Sequence, residues 1–394
     1  MMKEFKVEKT INVSPFAGEF DFEELRPYYD DEVKEVMNRM ISDPVYFSLM
    51  EYLWPGISKA DAIKKSENVK TIRDFQTTYM SHAIWHIVNN TSAGLTWSGI
   101  EKLDINKSYL YIANHRDILL DSAILQIIFD NEAFATSEIT FGSNLMDKGF
   151  ITDFGKLNRM FAVKREGNAK ELYDISRELS AYIRHTIIDK NTSVWIAQRN
   201  GRTKDGNDIT QTGLLKMLGL SGGKDFVKCF SELCIVPVTI SYEFEPCDKL
   251  KVQELYLSSL HSKYVKAPGE DLNSIITGIK QPKGKIHLAF GNQITAEELS
   301  EINKSGNDNE KIKKLTALID HQIHSDYKLN KVNYIAYDLS YGTNVFENNY
   351  SSEEKNKFIS YANESLKNLS GEQDVLKSLF FKMYAYPVVN KLNI

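Results

Sequence analysis

The chain has 394 residues, enough for one large catalytic domain with helical additions or for about two or three domains. A hydrophobic content of 42% and a charged content of 26% are typical of a soluble globular protein, and the net charge of −5 argues against a general nucleic-acid-binding protein. The sequence shows no secretory signal and no uncharged apolar run of about 18 residues, so we expect a cytoplasmic protein without a membrane-spanning segment.

The first part of the chain, residues 1–90, is predicted to be helical. From about residue 20 its aromatic and apolar side chains recur at helix-like spacing, and residues 75–86 contain neither Pro nor Gly. From about residue 91 the pattern changes to short β-rich runs separated by amphipathic helices. This alternation predicts an α/β domain over residues 91–300, with a mixed, largely parallel sheet flanked by helices.

The predicted strands are 109–113, 139–142, 160–163, 194–197, 235–241 and 286–290. A buried helix is predicted over 118–129, and a second helix crosses the sheet between the third and fourth strands, because apolar residues at 172, 175, 179, 183 and 187 recur at helical spacing. Thr295 and Glu298 form a capping box. Residues 301–394 are predicted to be a helical C-terminal extension.

The segment that follows the first strand carries the strongest chemical pattern. The strand delivers Asn114 and His115 into a turn, and Asp117 and Asp121 follow closely. A strand end holds an imidazole rigidly, a carboxylate can fix its tautomer, and a hydroxyl placed against the free ring nitrogen then becomes a nucleophile. Either carboxylate can reach the ring. In the alternative interpretation, Asp117 only caps the next helix and His115 is a loop residue.

Two further strands end in cations. The third strand leads into Lys164 and Arg165, and the fourth leads into a Gly-containing turn. That turn contains Arg199, Arg202 and Lys204. Because Gly201 permits close backbone approach and no aromatic residues are interleaved, the turn favours a small phosphate over a nucleic acid. Both clusters are also compatible with solvated surface charges.

The fifth strand contains Pro237. Proline cannot donate a hydrogen bond to a neighbouring strand, so the sequence predicts that this position lies at a sheet edge or beside a ligand groove.

Taken in order, these four segments resemble the glycerolphosphate acyltransferase superfamily, the lysophosphatidate acyltransferase-like proteins of phospholipid synthesis. The resemblance covers roughly residues 91–300. The matching positions are Asn114, His115 and Asp121 for the N-H-x-x-x-x-D block, 161–165 for the second, 200–202 for the third and 236–238 for the fourth. The sequence departs from the family twice: five residues separate His115 from Asp121, and Asn200 replaces the Glu of the third block.

The resemblance implies acyl transfer from a thioester of coenzyme A or acyl carrier protein to a hydroxyl of glycerol 3-phosphate or lysophosphatidate. His115 is then the general base, and Asp121, with Asp117 as the alternative, orients it. The residues expected to bind substrate are Asn114, Arg165, Arg199, Asn200, Gly201, Arg202, Lys204 and Pro237. No cofactor is implied, and no His, Cys or carboxylate cluster has the spacing of metal ligands.

Three alternatives stay open: an O-acyltransferase for another lipid acceptor such as an acylated amino acid, a thioesterase-like hydrolase, and a non-catalytic lipid-binding protein. A lipid product implies peripheral contact with the inner face of the membrane. The stretch 375–394 has aromatic side chains and three lysines but no acidic residue, which suits an anionic lipid surface. The same stretch is also compatible with an ordinary docking helix.

Overall fold

The computed structural model describes residues 20–143, 149–163, 167–260 and 264–394. Within these residues, seven strands form one sheet in the order β1-β7-β6-β2-β5-β3-β4. The strands are β1 (Ser92–Ser98), β2 (Leu110–Ala113), β3 (Glu138–Gly142), β4 (Met160–Val163), β5 (Val194–Ala197), β6 (Ile235–Tyr242) and β7 (Gly284–Phe290). All six predicted strands are present. The additional strand, β1, lies at the sheet edge and is half exposed, so its sequence lacks an apolar run.

The sheet is mixed and largely parallel, which confirms the predicted fold class. The strands β2 to β6 pair in parallel, whereas β7 is antiparallel to β6 and parallel to β1. The carboxyl ends of β2, β3, β4 and β5 therefore meet at one edge, where ligands of open α/β sheets usually bind.

Pro237 does not lie at a sheet edge, because β6 is flanked by β2 and β7. The sheet tolerates the proline because β7 ends opposite it, at Phe290, and the next residue, Gly291, donates its N–H to the Pro237 carbonyl. In a strand, the backbone nitrogen and the carbonyl of one residue point to the same side. The Pro237 nitrogen, which has no hydrogen to donate, therefore points to the β7 side of β6, at a position where β7 has already ended.

The helices flank the sheet and extend the chain at both ends. They are α1 (Val33–Ile41), α2 (Pro44–Leu53), α3 (Lys59–Glu67), α4 (Ile72–Phe75), α5 (His82–Thr91), α6 (Leu120–Asn131), α7 (Phe150–Leu157), α8 (Ala169–Ile188), α9 (Thr212–Gly219), α10 (Phe226–Ser231), α11 (Asp248–Leu260), α12 (Glu270–Lys280), α13 (Ala296–Asn303), α14 (Asp308–Asp326), α15 (Lys331–Tyr341), α16 (Ser352–Leu366) and α17 (Gln373–Leu392). A π-helical turn, Gln76–Ser81, joins α4 to α5. The predicted capping box is present at the start of α13.

Each face of the sheet is covered by its own helices. Tyr111 and Ala113 of β2 pack with α5 and α6, whereas Leu110 and Ile112 face α8, α9 and α14. This division follows from the two-residue period of a strand, whose successive side chains point to opposite faces. The first four helices have a separate apolar core with α7.

The stretch 375–394 is a core element. Its helix α17 packs on α15, α16 and α11, and the side chains of Phe380, Met383 and Tyr384 are buried. The docking-helix interpretation therefore describes this segment, and Phe380 and Tyr384 are committed to the protein core. Among the helices of the described residues, none combines the length and apolar character needed to cross a bilayer.

Candidate active site

His115 and Asp121 form a hydrogen-bonded pair at the carboxyl end of β2. Nδ1 of His115 lies 2.9 Å from Oδ2 of Asp121, which is buried at the start of α6. Because Nδ1 is occupied by the carboxylate, Nε2 is the ring nitrogen left for a ligand. The edge of the ring packs against Trp195 of β5 at 5.9 Å between ring centroids. The histidine is thus held on two sides.

Asp121 accepts hydrogen bonds from three further groups besides the histidine. The same oxygen, Oδ2, accepts the backbone N–H groups of Arg116 and Asp117, at 2.6 and 2.9 Å, and Oδ1 accepts the Tyr242 hydroxyl at 2.9 Å. The turn therefore wraps around the Asp121 carboxylate. Tyr242, at the end of β6, carries no sequence signal that links it to this site.

Asp117 has a different position. Its Oδ1 accepts the N–H groups of Leu119 and Leu120 and so caps α6, while Oδ2 is buried and has no hydrogen-bond partner in the described parts of the chain. Burial and the neighbouring charge of Asp121 raise the pKa of Asp117. The structure pairs His115 with Asp121, and it assigns the capping role to Asp117.

His115 lines a cleft of about 670 Å³ between the strand ends and the basic turn. The other lining residues are Ile118, Thr140, Phe141, Gly142, Trp195, Ala197, Arg199, Gly201, Arg202, Lys204, Lys266 and Asp271. No Ser or Cys of the described residues lines this cleft. Thr140 supplies a hydroxyl among these lining residues, and that hydroxyl donates to the Trp195 carbonyl at 3.2 Å. A nucleophile could instead come with the substrate or as water.

Two arginines, Arg199 and Arg202, line the cleft. Among the described residues, Nε of Arg199 and Nη1 of Arg202 have no hydrogen-bond partner, but both atoms are shielded from solvent, as are the equally unpartnered Nε of Arg116 and Nε2 of Gln198. Planar guanidinium groups suit phosphate and carboxylate oxygens.

The remaining predicted residues of the basic segments differ in position. Lys204 lines the cleft but pairs with Glu254 of α11 at 2.5 Å, and burial lowers its pKa. Gly201 lines the cleft with a φ of +75°, a conformation that favours glycine. Asn200 is exposed and faces a neighbouring groove. Lys164 and Arg165 lie outside the described residues.

Asn114 and Pro237 do not line the cleft. The Asn114 amide is fully buried: its oxygen accepts the Ile240 N–H, and its nitrogen donates to the Ile240 carbonyl and to Asp208. Asn114 therefore ties β2 to β6 beneath the histidine. Pro237 is buried in β6 opposite Ile112.

Arg116 holds the turn from the interior of the protein. Its side chain is 1% exposed and donates to the carboxylates of Asp208 and Glu245. Lys251 of α11 donates to Glu245 at 2.5 Å and to the Arg116 carbonyl at 2.6 Å. Asp208 also accepts from Thr203, whose own N–H donates to the His115 carbonyl. We define Arg116, Asp208, Glu245 and Lys251 as the buried tetrad. It joins the histidine turn to the basic turn with two cations and two carboxylates.

A second, more apolar groove of about 940 Å³ adjoins the cleft and shares Thr140, Ala197 and Arg199 with it. Its apolar walls are Val163, Ile175, Leu179, Ile196, Leu214 and Met217. The groove runs between the ends of β4 and β5 and the helices α8 and α9. An extended apolar group that starts at His115 could continue into this groove.

No protein-family model matches the sequence, and no curated protein matches it. A similar solved structure is that of the 1-acyl-sn-glycerophosphate (LPA) acyltransferase PlsC from Thermotoga maritima. The two chains share 10% identity over 74% of this chain and 93% of that chain, with a TM-score of 0.39. Similarity at this level does not establish a shared activity. Among the described residues, no group of three or more His, Cys, Asp or Glu side chains is arranged to hold a metal ion.

Proposed function

We propose that the protein is an O-acyltransferase. In this proposal it moves an acyl group from a thioester, carried by coenzyme A or acyl carrier protein, to a hydroxyl of a glycerophosphate acceptor. The observation that carries the proposal is the His115–Asp121 pair at a cleft that Arg199 and Arg202 also line. A base and an anion site within one cleft suit a substrate that carries both a hydroxyl and a phosphate.

The chemistry follows from the geometry. A hydroxyl of the acceptor approaches Nε2 of His115, which removes its proton as the oxygen attacks the thioester carbonyl. Asp121 stabilises the imidazolium that forms, and the imidazolium then returns the proton to the departing thiolate. The thioester is already activated, so no acyl-enzyme intermediate is required. This accords with a cleft without Ser or Cys among the described residues.

The two arginines would bind the phosphate of the acceptor and so position its hydroxyl. Holding two reactants in the right geometry lowers the entropic part of the activation barrier. The binding energy of the phosphate, which is remote from the reacting atoms, would supply this effect. Lys204 contributes less in this proposal, because Glu254 already neutralises its charge. The acyl chain of the donor would lie in the adjoining apolar groove, between α8 and α9.

The acceptor is proposed to be glycerol 3-phosphate or lysophosphatidate, and the product an intermediate of phospholipid synthesis. The enzyme would then act in the cytoplasm, in peripheral contact with the inner face of the membrane. An acceptor with a carboxylate, such as an acylated amino acid, would satisfy the same guanidinium groups. The assay therefore includes such an acceptor.

The test is acyl transfer by the purified protein. Labelled acyl-coenzyme A and acyl carrier protein thioesters are supplied with glycerol 3-phosphate, with lysophosphatidate, with an N-acyl amino acid that carries a hydroxyl, or without acceptor. We expect a labelled ester only with a phosphate-bearing acceptor. Release of free fatty acid at the same rate in all four arms would show a thioesterase. No turnover of either thioester in any arm would leave a lipid-binding protein and overturn the proposal.

A further inference from the structure

The Asp121 carboxylate, which holds the candidate base, has two oxygens with unequal sets of partners. Oδ2 accepts from Nδ1 of His115 and from the backbone N–H groups of Arg116 and Asp117. Oδ1 accepts from the Tyr242 hydroxyl at 2.9 Å, and no other donor to Oδ1 lies among the residues that the structure describes. A buried carboxylate oxygen without a donor is unfavourable. The Tyr242 hydroxyl is therefore needed to satisfy Oδ1 inside the protein.

The sheet itself places this hydroxyl. β6 continues from Val238, the last residue that pairs with β2, to its final residue, Tyr242. Successive side chains of a strand alternate between the two faces, so Tyr242 lies on the same face as Val238 and Ile240, the face that α6 covers. Asp121 lies in the first turn of α6. Because Tyr242 is only 1% exposed, the core of the sheet holds its ring in place.

The hydroxyl has two effects on the carboxylate. It binds Oδ1 while the two backbone N–H groups bind Oδ2, so the carboxylate cannot rotate freely and Oδ2 stays against the imidazole. It also shares the negative charge of Asp121 with the ring, because each hydrogen bond to a carboxylate disperses part of its charge. A protonated His115 would compete with Tyr242 for that charge. The hydroxyl thus favours the neutral imidazole, which is the form that accepts a proton.

Tyr242 acts on the site as a hydrogen-bond donor and at second hand. Burial, together with the charges of Asp121 and Asp117, raises the pKa of Tyr242 well above its ordinary value, so the phenol keeps its proton. The ring does not line the cleft, so it does not contact a substrate there. Any influence of Tyr242 on the chemistry therefore passes through Asp121.

We propose that Tyr242 is a positioning residue for the candidate base: its hydroxyl fixes the Asp121 carboxylate against His115 and keeps the imidazole in its neutral form. The inference rests on the proposed function for its purpose, since a neutral base matters only where a proton is removed. The arrangement itself is measured in the free protein, without a substrate.

The other charged groups around the pair stay the same when the Tyr242 hydroxyl is removed. Asp117 lies in the same turn, and Glu245 follows β6. The wall of the cleft adds charged side chains from the basic turn, from the start of α12 and from the segment before it. They are Arg199, Arg202, Lys204, Lys266 and Asp271. Because Tyr242→Phe removes a donor but no formal charge, a change at His115 reports the lost hydrogen bond.

The experiment compares two phenylalanine variants of the full chain. In Tyr242→Phe the hydroxyl that donates to Asp121 is removed. Tyr182→Phe is the matched control, because the Tyr182 hydroxyl also donates to a buried carboxylate, that of Glu138 at 2.6 Å, and neither residue lines the cleft. Each variant loses one buried hydrogen bond between a tyrosine and a carboxylate. Thermal unfolding checks that both variants are folded.

The first readout is the titration of the His115 imidazole, followed by NMR of the histidine-labelled protein and assigned with His115→Ala. The His115 signals should titrate at a pH about 0.5 to 1 higher in Tyr242→Phe than in the wild type, because Asp121 then offers more charge to the imidazolium. Tyr182→Phe should not move them. Equal titrations in the wild type and Tyr242→Phe would overturn the proposal.

Replacement of Tyr242 by 3-fluorotyrosine tests the same hydrogen bond with the ring kept in place, should the phenylalanine variant not fold. The fluorinated phenol is the more acidic donor, so the His115 signals should titrate at a lower pH than in the wild type. Signals that do not move, or that move to higher pH, would contradict the proposal.

The second readout is acyl transfer as a function of pH. In Tyr242→Phe, kcat should fall about three- to tenfold at pH 7 and less at pH 9, where more of the imidazole is neutral, while the acceptor KM changes less than about twofold. In an Asp121→Asn background, Tyr242→Phe should change kcat by less than about twofold, because it acts through Asp121. Equal fold losses in both backgrounds would give Tyr242 a purely structural role and overturn the proposal.

The two readouts separate this proposal from the proposed function. A moved titration in Tyr242→Phe, with no acylation of any acceptor by the wild type, would support the positioning role and overturn the acyltransferase. Acylation by the wild type, with the same His115 titration and the same kcat in Tyr242→Phe and Tyr182→Phe, would do the reverse.

Discussion

In the turn after β2, successive side chains point alternately to the cleft and to the protein interior, and the two sets make different contacts. His115 faces the cleft, while Asn114 and Arg116, on either side of it, face the protein interior. The Arg116 guanidinium donates to the buried carboxylates of Asp208 and Glu245, and none of its described contacts is with a residue that lines the cleft. A charged residue next to a candidate base can therefore belong entirely to the scaffold.

The largest expected effect is on the cleft side. Replacement His115→Ala should lower kcat for acyl transfer by about 10² to 10⁴, because the acceptor hydroxyl loses its base. The unfolding free energy should change by less than about 1 kcal/mol, since Asp121 keeps its other donors. Steady-state kinetics and urea unfolding measure the two quantities.

The control for this variant is His185→Ala. His185 also places Nδ1 2.8 Å from a carboxylate, that of Asp189, but it lies on α8 and does not line the cleft. Its replacement should leave kcat unchanged. A comparable loss of kcat in both variants would mean that the cleft-side histidine is not the base.

The buried side should show the opposite pattern, with stability as the main readout. Replacement Arg116→Met leaves the carboxylates of Asp208 and Glu245 buried without their guanidinium partner. We expect a loss of about 3 to 5 kcal/mol in unfolding free energy, measured by urea denaturation. The exposed pair Lys331–Glu354 supplies the control, because Lys331→Met should cost at most about 1 kcal/mol. Equal losses in the two variants would contradict a stabilising role for the buried tetrad.

A smaller effect, on the KM for the acceptor, should distinguish Arg202 from Lys204 in the basic turn. Replacement Arg202→Gln should raise the KM for a phosphate-bearing acceptor about 10- to 100-fold, because a charged hydrogen bond contributes about 1.5 to 3 kcal/mol. Lys204→Gln should raise it less than about fivefold, since its ammonium pairs with Glu254. If both variants raise the KM equally, the Lys204 ammonium binds the anion as strongly as the Arg202 guanidinium, and the Lys204–Glu254 pair does not weaken its contribution.

The smallest effect concerns Asp117 and distinguishes it from Asp121, the other carboxylate of the turn. Because burial and Asp121 raise its pKa, the folded state holds this proton more tightly than the unfolded state. Its contribution to stability is therefore present at low pH and is lost as the pH rises from about 4, the ordinary Asp value, through the folded pKa. Replacement Asp117→Asn removes this dependence.

The measurement is the unfolding free energy of Asp117→Asn minus that of the wild type, followed across this range. The difference should increase with pH, while kcat stays within about tenfold, because the Asn oxygen can still cap α6. A difference that is constant with pH would contradict the raised pKa of Asp117, and a loss of kcat as large as for His115→Ala would make Asp117 a partner of the histidine.

The sequence predicted most of the elements because their signals are local. Four-residue apolar runs between helical segments fixed β4 and β5 to the residue, and the Thr295–Glu298 capping box marks the start of α13. The half-exposed edge strand β1 lacked such a signal. Its pairing with β7, nearly two hundred residues away, is what makes it a strand.

The candidate base and its acidic neighbours were visible in the sequence because they lie within seven residues of one another. The order of β6 in the sheet, the burial of α17 and the pairing of Lys204 with Glu254 were not visible, because each depends on distant segments. The same holds for the tetrad: Arg116 meets Asp208 and Glu245 across 92 and 129 residues.

The sequence by itself determined the α/β class and the presence of a histidine with two carboxylates in one turn, since hydrophobic periodicity and short spacing are local properties. Only the tertiary structure decided which carboxylate holds the ring and which cations of the basic turn are already paired with a carboxylate. Those choices depend on where the chain closes around Asp121 and on which buried charges find partners. Hydrogen-bond geometry and the cost of burying an unpaired charge act between segments that the sequence does not place together.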